Sequence, residues 1–240
     1  MASDTVIDEI ADGVYRVHTP FEAPSLPGGF SFNQYLVMDD QPLLFHSGLR
    51  GIFPRVKAAV ERVVPAKKIA FFAVSHFEAD ECGALNAWLE AAPGATAVCS
   101  EVGAMVSLGD YADRAPRGLA DGERLTLGAR TLTWLDAPHL PHGWDCGYMF
   151  DAHSATLLCG DLFTQPGSGS EALVEGDILG PSEAFRKPMD YYAHAPDTRA
   201  LLAKLGETRP TTLACMHGSA WRGDGAALLA ALADALEGGT

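Results

Sequence analysis

The chain has 240 residues, 48% hydrophobic and 20% charged, enough to bury a sizeable core in one large domain or two small ones. Its 31 acidic against 17 basic residues leave a formal net charge of -14, which argues against nucleic acid as a partner, because phosphate-backbone binding draws on clustered lysine and arginine. No segment is apolar for the length a bilayer span needs, and Met1-Ala2-Ser3-Asp4-Thr5 lacks the basic start and apolar run of a leader. The expected location is the cytoplasm, away from membranes, with Cys82, Cys99, Cys146, Cys159 and Cys215 as reduced thiols.

The first half opens with strand-like runs at Val14 to His18, Ser31 to Met38 and Pro42 to His46, separated by the turn-rich Pro24-Ser25-Leu26-Pro27-Gly28-Gly29 and by Asp39-Asp40. Pro54 to Val64 carries Val56, Ala59, Val60 and Val63 at helical spacing and leads into the apolar strand Ile69 to Val74. A helix over Ala84 to Ala92, a strand at Thr96 to Cys99 and a helix from Glu101 to Leu108 complete a first β-then-α half. The second half repeats the order. Its strands are Glu123 to Leu127, Arg130 to Leu135, Cys146 to Phe150 and Thr156 to Cys159. A glycine- and serine-rich loop at Pro166 to Ser170, a helix near Pro196 to Leu205, a strand at Thr211 to Cys215 and a helix at Gly225 to Glu237 follow. Two such halves predict an α/β (α+β) four-layer αββα sandwich, with residues 1–240 as one domain.

Ser75-His76-Phe77-Glu78-Ala79-Asp80-Glu81 places one imidazole and three carboxylates directly after a buried strand. Helix capping accounts for one acid there, not for three and a histidine. Ligand-type residues end other strands in the same manner: His139 and His142 after Leu135, Asp161 after Cys159-Gly160, and His217 after Cys215-Met216. Strand ends share a sheet rim, so these side chains are expected to converge on a metal site. Carboxylate-rich sets with a few imidazoles suit iron or manganese, whereas zinc sites lean towards histidine and cysteine.

These residues resemble the metallo-β-lactamase superfamily, and within it the diiron branch of flavodiiron and oxygen-binding diiron proteins. His76-Phe77-Glu78-Ala79-Asp80 matches the H-x-E-x-D of that branch, where hydrolytic members carry H-x-H-x-D-H. The resemblance implies His76, Glu78 and His142 as ligands of one metal, Asp80 and His217 as ligands of the other, and Asp161 as the bridge. His142 is preferred to His139 because Gly143-Trp144-Asp145 after it echoes a turn of the diiron family. His46 falls where the superfamily often has aspartate, and is read as a core, surface or supporting residue. Glu81 stands where the pattern has histidine, leaving three roles open: ligation, acceptance of a hydrogen bond from a ligand imidazole, or a water-filled position beside it.

The resemblance implies two iron ions, with manganese and zinc as alternatives, and a non-haem diiron protein that binds dioxygen or nitric oxide. It would act as an oxygen carrier or sensor, or as an oxidoreductase fed by a separate reductase, since the residues after His217 show no glycine-rich phosphate loop for FMN. A homodimer is left open. Two other classes compete: a binuclear hydrolase of a lactone, thioester or phosphodiester, and a metal-free binding module. Glu78 in place of histidine weighs against the first, and the nearly complete ligand set against the second.

Overall fold

The computed structural model describes residues 5–23 and 26–238. The first sheet contains β1 (Val6–Ala11), β2 (Val14–Ala23), β3 (Leu26–Val37), β4 (Leu43–Phe45), β5 (Phe71–Ala73), β6 (Thr96–Ser100) and β7 (Arg117–Leu119), lying in that order. The first four are antiparallel, and β4 to β7 run parallel. Parallel neighbours need crossovers, which here contain α1 (Phe53–Val60), then α2 (Ala79–Cys82) and α3 (Leu85–Ala91), then α4 (Glu101–Val106) and α5 (Leu108–Tyr111).

The second sheet is built from β8 (Arg124–Thr126), β9 (Thr131–Asp136), β10 (Gly147–Asp151), β11 (Thr156–Leu158), β12 (Leu173–Val174), β13 (Thr212–Ala214) and β14 (Ala220–Arg222). Their spatial order is β12-β14-β13-β11-β10-β9-β8. Helices α6 (Leu179–Met189), α7 (Thr198–Glu207) and α8 (Gly225–Glu237) belong to this half.

Alternation along the strands divides the apolar residues between two faces. Tyr35, Val37, Leu43 and Phe45 join Trp134, Met149, Leu158 and Ala214 between the sheets. Leu36, Leu44 and Phe72 instead pack with Val56, Leu85, Trp88 and Leu89. On the far side Tyr148, Leu157 and Leu213 pack with Leu202, Leu205, Leu229 and Leu232 of α7 and α8. The expected αββα sandwich is therefore present, its two halves sharing the inter-sheet core.

Several elements depart from expectation. The segment expected as a turn before Ser31 is strand from Leu26 onward, while Pro24 and Ser25 of that turn lie outside the described residues, as do Met1 to Asp4. Phe21 pairs with Phe30 across β2 and β3, and Phe32 lies 5.9 Å from Phe21 and 5.6 Å from Phe30. Such cross-strand aromatic contacts favour a longer ladder. The expected helix over Glu101 to Leu108 breaks at Ser107, whose φ of -125° and ψ of -74° are not helical. Strands β1, β7, β12 and β14 and helix α6 were not anticipated.

Candidate metal centre

The candidate ligands lie in the loops that leave strand ends or in the short helix that follows one. His76 and Glu78 lie between β5 and α2, and Asp80 and Glu81 lie within α2. His142 lies in the loop from β9 to β10, Asp161 follows β11, and His217 follows β13. Parallel pairing of β11 with β13, Leu158 opposite Ala214, carries Asp161 and His217 out side by side. The loops from the two sheets are tied together: Gly147 N–H donates to the Ser75 carbonyl at 2.9 Å, and Asn33 N–H to the Met216 carbonyl at 2.9 Å.

The structure brings the predicted side chains to one place. His142 Nε2 lies 3.1 Å from His76 Nε2 and 3.0 Å from Glu78 Oε1. Asp161 turns Oδ2 towards these two imidazoles, at 3.5 Å from His76 and 3.6 Å from His142. Its other oxygen, Oδ1, is 3.3 Å from His217 Nε2, which lies 3.5 Å from Asp80 Oδ2. One carboxylate thus faces a His76–His142–Glu78 group and a His217–Asp80 group. Candidate atoms of His76, Glu78, His142 and Asp161 all fall within 4.8 Å of one another, as do those of Glu78, Asp80 and Glu81.

Hydrogen bonds behind the rings aim them. His142 Nδ1 and His217 Nδ1 donate to the carbonyls of Tyr191 and Ser31, at 2.9 Å and 2.8 Å, which leaves each Nε2 lone pair towards the cluster. His76 Nδ1 meets Ser75 Oγ at 2.9 Å, and that hydroxyl lies 2.9 Å from His46 Nε2. His46 is buried, as a core reading expects, and also stands one hydrogen bond behind His76. A buried network holds the chain around His217: Asn33 Nδ2 donates to the carbonyls of Cys215 and Gly218, and Arg16 Nη2 to those of Gly169 and Gly218. Arg16 Nη2 also lies 2.9 Å from His18 Nδ1. Burial beside Arg16 holds the His18 imidazole down to about 4.

Electrostatics follow from crowding. Burial opposes charge on His76, His142 and His217, yet nearby acceptors and carboxylates, Glu78 and Asp161 above all for the latter two, outweigh it and raise all three. Hydrogen bonds from His142 and His76 hold Glu78 down to about 2. Burial would raise Asp161, but His217 and the neighbouring imidazoles pull it well below the usual carboxylate range. Glu81 goes the other way: burial first, then the charges of Asp161 and Asp80, push it well above that range.

The donor set fits a pair of divalent cations. Asp161 Oδ1 and both carboxylate oxygens of Glu81 are buried without a hydrogen-bond partner among the described residues. Three carboxylate orphans beside imidazoles aimed nitrogen to nitrogen are what cations would satisfy. Glu78, at the N-cap of α2, makes no side-chain capping bond, while Asp80 and Glu81 stand in the first turn of that helix.

His139, the competitor of His142, falls outside the cluster. His139 is exposed and takes a φ of 65°, its N–H bonded to the Gly143 carbonyl. Phe77 and Trp144 are exposed, and Phe163 and Trp221 belong to the core behind the second sheet. Tyr191 walls the site. It lines a cleft of about 260 Å³ with Phe30, Thr164, Phe185 and Met189, opening onto Glu78, Asp80, His142, Asp161 and His217. Phe185 and Met189 were missed because α6 was missed. Ser75 could have been noticed as the hydroxyl preceding His76.

A family model described as "ODP family beta lactamase" matches residues 30–218. Rubredoxin-oxygen oxidoreductase of Megalodesulfovibrio gigas is 30% identical over 206 residues, covering 82% of this chain and 50% of that protein. A nitric oxide reductase of Moorella thermoacetica is 27% identical over 246 residues, covering 95% of this chain and 61% of its own length. The chain therefore spans about half to three-fifths of these curated relatives. Among solved structures, the rubredoxin oxygen:oxidoreductase of Desulfovibrio gigas superposes with a TM-score of 0.78 at 26% identity, over 97% of this chain and 61% of that one. A diflavin flavoprotein fragment from a Nostoc species shares the fold, with a TM-score of 0.85 at 19% identity over 98% and 96% of the two chains. With most of its length matched by the family model and its strand-end residues gathered at one rim, the chain belongs to the ODP family of the metallo-β-lactamase superfamily, on the flavodiiron side of it.

Proposed function

We propose that this chain is the diiron core of an oxidoreductase acting on dioxygen, with nitric oxide as a second diatomic substrate. The observation that carries the reading is the two-faced placement of Asp161, with one oxygen towards His76 and His142 and the other towards His217. In this reading His76, Glu78 and His142 would hold one iron, Asp80, Glu81 and His217 the other, with Asp161 shared between them. A ferrous pair held there would supply electrons for the reduction of a diatomic gas.

The chain's own residues do the rest. Carbonyls of Tyr191 and Ser31 keep two imidazoles in the ligating tautomer. Phe30, Phe185, Met189 and Tyr191 give the cleft apolar walls suited to a small, weakly polar substrate. Glu78 and Asp80 keep partial exposure at its mouth, where substrate and protons enter. The relatives named above carry an electron donor or a gas in their names, and we assign this chain a separate reductase as donor, with FMN held outside residues 1–240. The hydrolase alternative has no observation in its favour.

Protein produced with both iron and zinc available is expected to carry close to two irons per chain. It should also show a near-ultraviolet absorption that appears with oxygen and bleaches on reduction. Stoichiometric zinc by elemental analysis would remove the iron assignment, and oxygen uptake no faster than that of metal-stripped protein would remove the substrate.

A further inference from the structure

A carbonyl only accepts, so the Nδ1 hydrogens of His142 and His217 are fixed by Tyr191 and Ser31. His76 differs. Its Nδ1 meets the Ser75 hydroxyl, which both donates and accepts, and the pair alone allows two arrangements of hydrogens. In one, His76 carries its hydrogen on Nδ1 and keeps the Nε2 lone pair for a cation. In the other, Ser75 donates to Nδ1, and Nε2 carries the hydrogen and cannot ligate.

The groups behind Ser75 break the tie. Ser75 Oγ is 2.9 Å from His46 Nε2, and His46 Nδ1 is 3.0 Å from Met216 Sδ. A thioether has no hydrogen to give, so the arrangement in which His46 Nδ1 donates to sulfur is favoured over one that sets two lone pairs against each other. His46 Nε2 then accepts from Ser75 Oγ–H, and Ser75 Oγ accepts from His76 Nδ1–H. The chain of donors runs one way and ends with a bare Nε2 on His76.

The surroundings of this relay are closed among the described residues. Ser75, His46, His76 and Met216 are all buried. Gly160 packs so closely that a Cβ there would lie 3.2 Å from Ser75 Oγ, which confines the hydroxyl. The Cys146 thiol donates to the Leu140 carbonyl at 3.0 Å, so towards the His76 ring its sulfur acts only as an acceptor and supplies no hydrogen.

We infer that His46, held by Met216 and acting through Ser75, is a positioning residue that selects the ligating tautomer of His76. This rests on the metal-centre reading above. It assigns a task to Met216, beside His217, that couples the two halves of the site through groups touching neither cation.

The test uses zinc as a diamagnetic stand-in for iron in the full chain labelled with ¹⁵N-histidine, where long-range ¹H–¹⁵N spectra report the tautomer of each ring. His46 is expected with its hydrogen on Nδ1. Affinity for the first metal, measured by chelator competition, should fall about 10–100-fold in Ser75→Ala and His46→Leu, the range seen when a supporting partner of a ligand is lost. His46→Gln, whose amide oxygen can reach where Nε2 lay, should recover most of that loss. Two metals bound with the His46 hydrogen on Nε2, or equal affinities for His46→Leu and His46→Gln, overturns this inference alone. An unaltered chain that takes up no metal overturns the metal-centre reading with it.

Discussion

Glu81 is a buried carboxylate with both oxygens unpartnered, next to Asp80 and within reach of Glu78. Burial opposes its charge, and as an anion it needs a cation beside it. Under the proposed ligand set Glu81→Gln should weaken the second iron selectively, by at least about tenfold, while Glu81→His should restore it by supplying an imidazole at that position. Ferrous titration of Glu81→Ala with two irons bound at unchanged affinity would rule out direct ligation. Asp161→Ala should cost both metals, because its two oxygens face different groups of ligands. His139→Ala should leave metal content intact, since that side chain is exposed and outside the cluster. Iron lost from His139→Ala but not from His142→Ala would reverse the assignment.

The elements that deliver these residues depend on a few tight approaches. Gly147 opens β10 against Trp134, and a Cβ there would lie 2.2 Å from the indole, inside the inter-sheet core. Gly147→Ala should therefore destabilise the fold by about 1–3 kcal/mol through overpacking, read as a lower denaturant midpoint with an unchanged m-value. Because Gly147 N–H also holds the Ser75 carbonyl, metal affinity should fall with it. The same local chemistry explains how far the sequence could be read. Strand ends bearing His76, His142, Asp161 and His217 stood out because apolar runs stop abruptly at ligand-type residues. Helix α6 did not, since Gly180, Pro181 and Pro188 mark it as loop, and it stands through tertiary contacts such as Phe185 against Phe30 at 5.8 Å. Strands β1 and β14 are short or edge elements whose pairing is set by distant partners, so no local period reveals them. His46 and Met216, 170 positions apart, could be joined only by the fold.

At the scale of the molecule, the candidate ligands are divided between the two sheets. His76, Glu78, Asp80 and Glu81 follow β5, while His142, Asp161 and His217 leave β9, β11 and β13. Cations gripped by both sets would clamp the halves, and binding to the folded state alone adds to its stability. At a free metal concentration about a hundred times Kd the gain is roughly 2.7 kcal/mol, or about 5–10 °C in Tm for a chain this size. The pH dependence has a definite sign. In the metal-free protein the imidazoles of His142 and His217 are raised by Glu78 and Asp161. Their stabilising contribution is complete below the unfolded value near 6.5 and is lost as pH climbs through the raised values. Metal uptake needs the same rings bare, so affinity increases over that window as protons stop competing. The gap in Tm between ferrous-loaded and chelator-treated protein should accordingly widen from about pH 6 to pH 8, measured anaerobically by scanning calorimetry. Burial of His18 and His46 acts on both forms and drops out of the difference. A gap that stays constant or narrows across this range would mean that these imidazoles do not bind the metal.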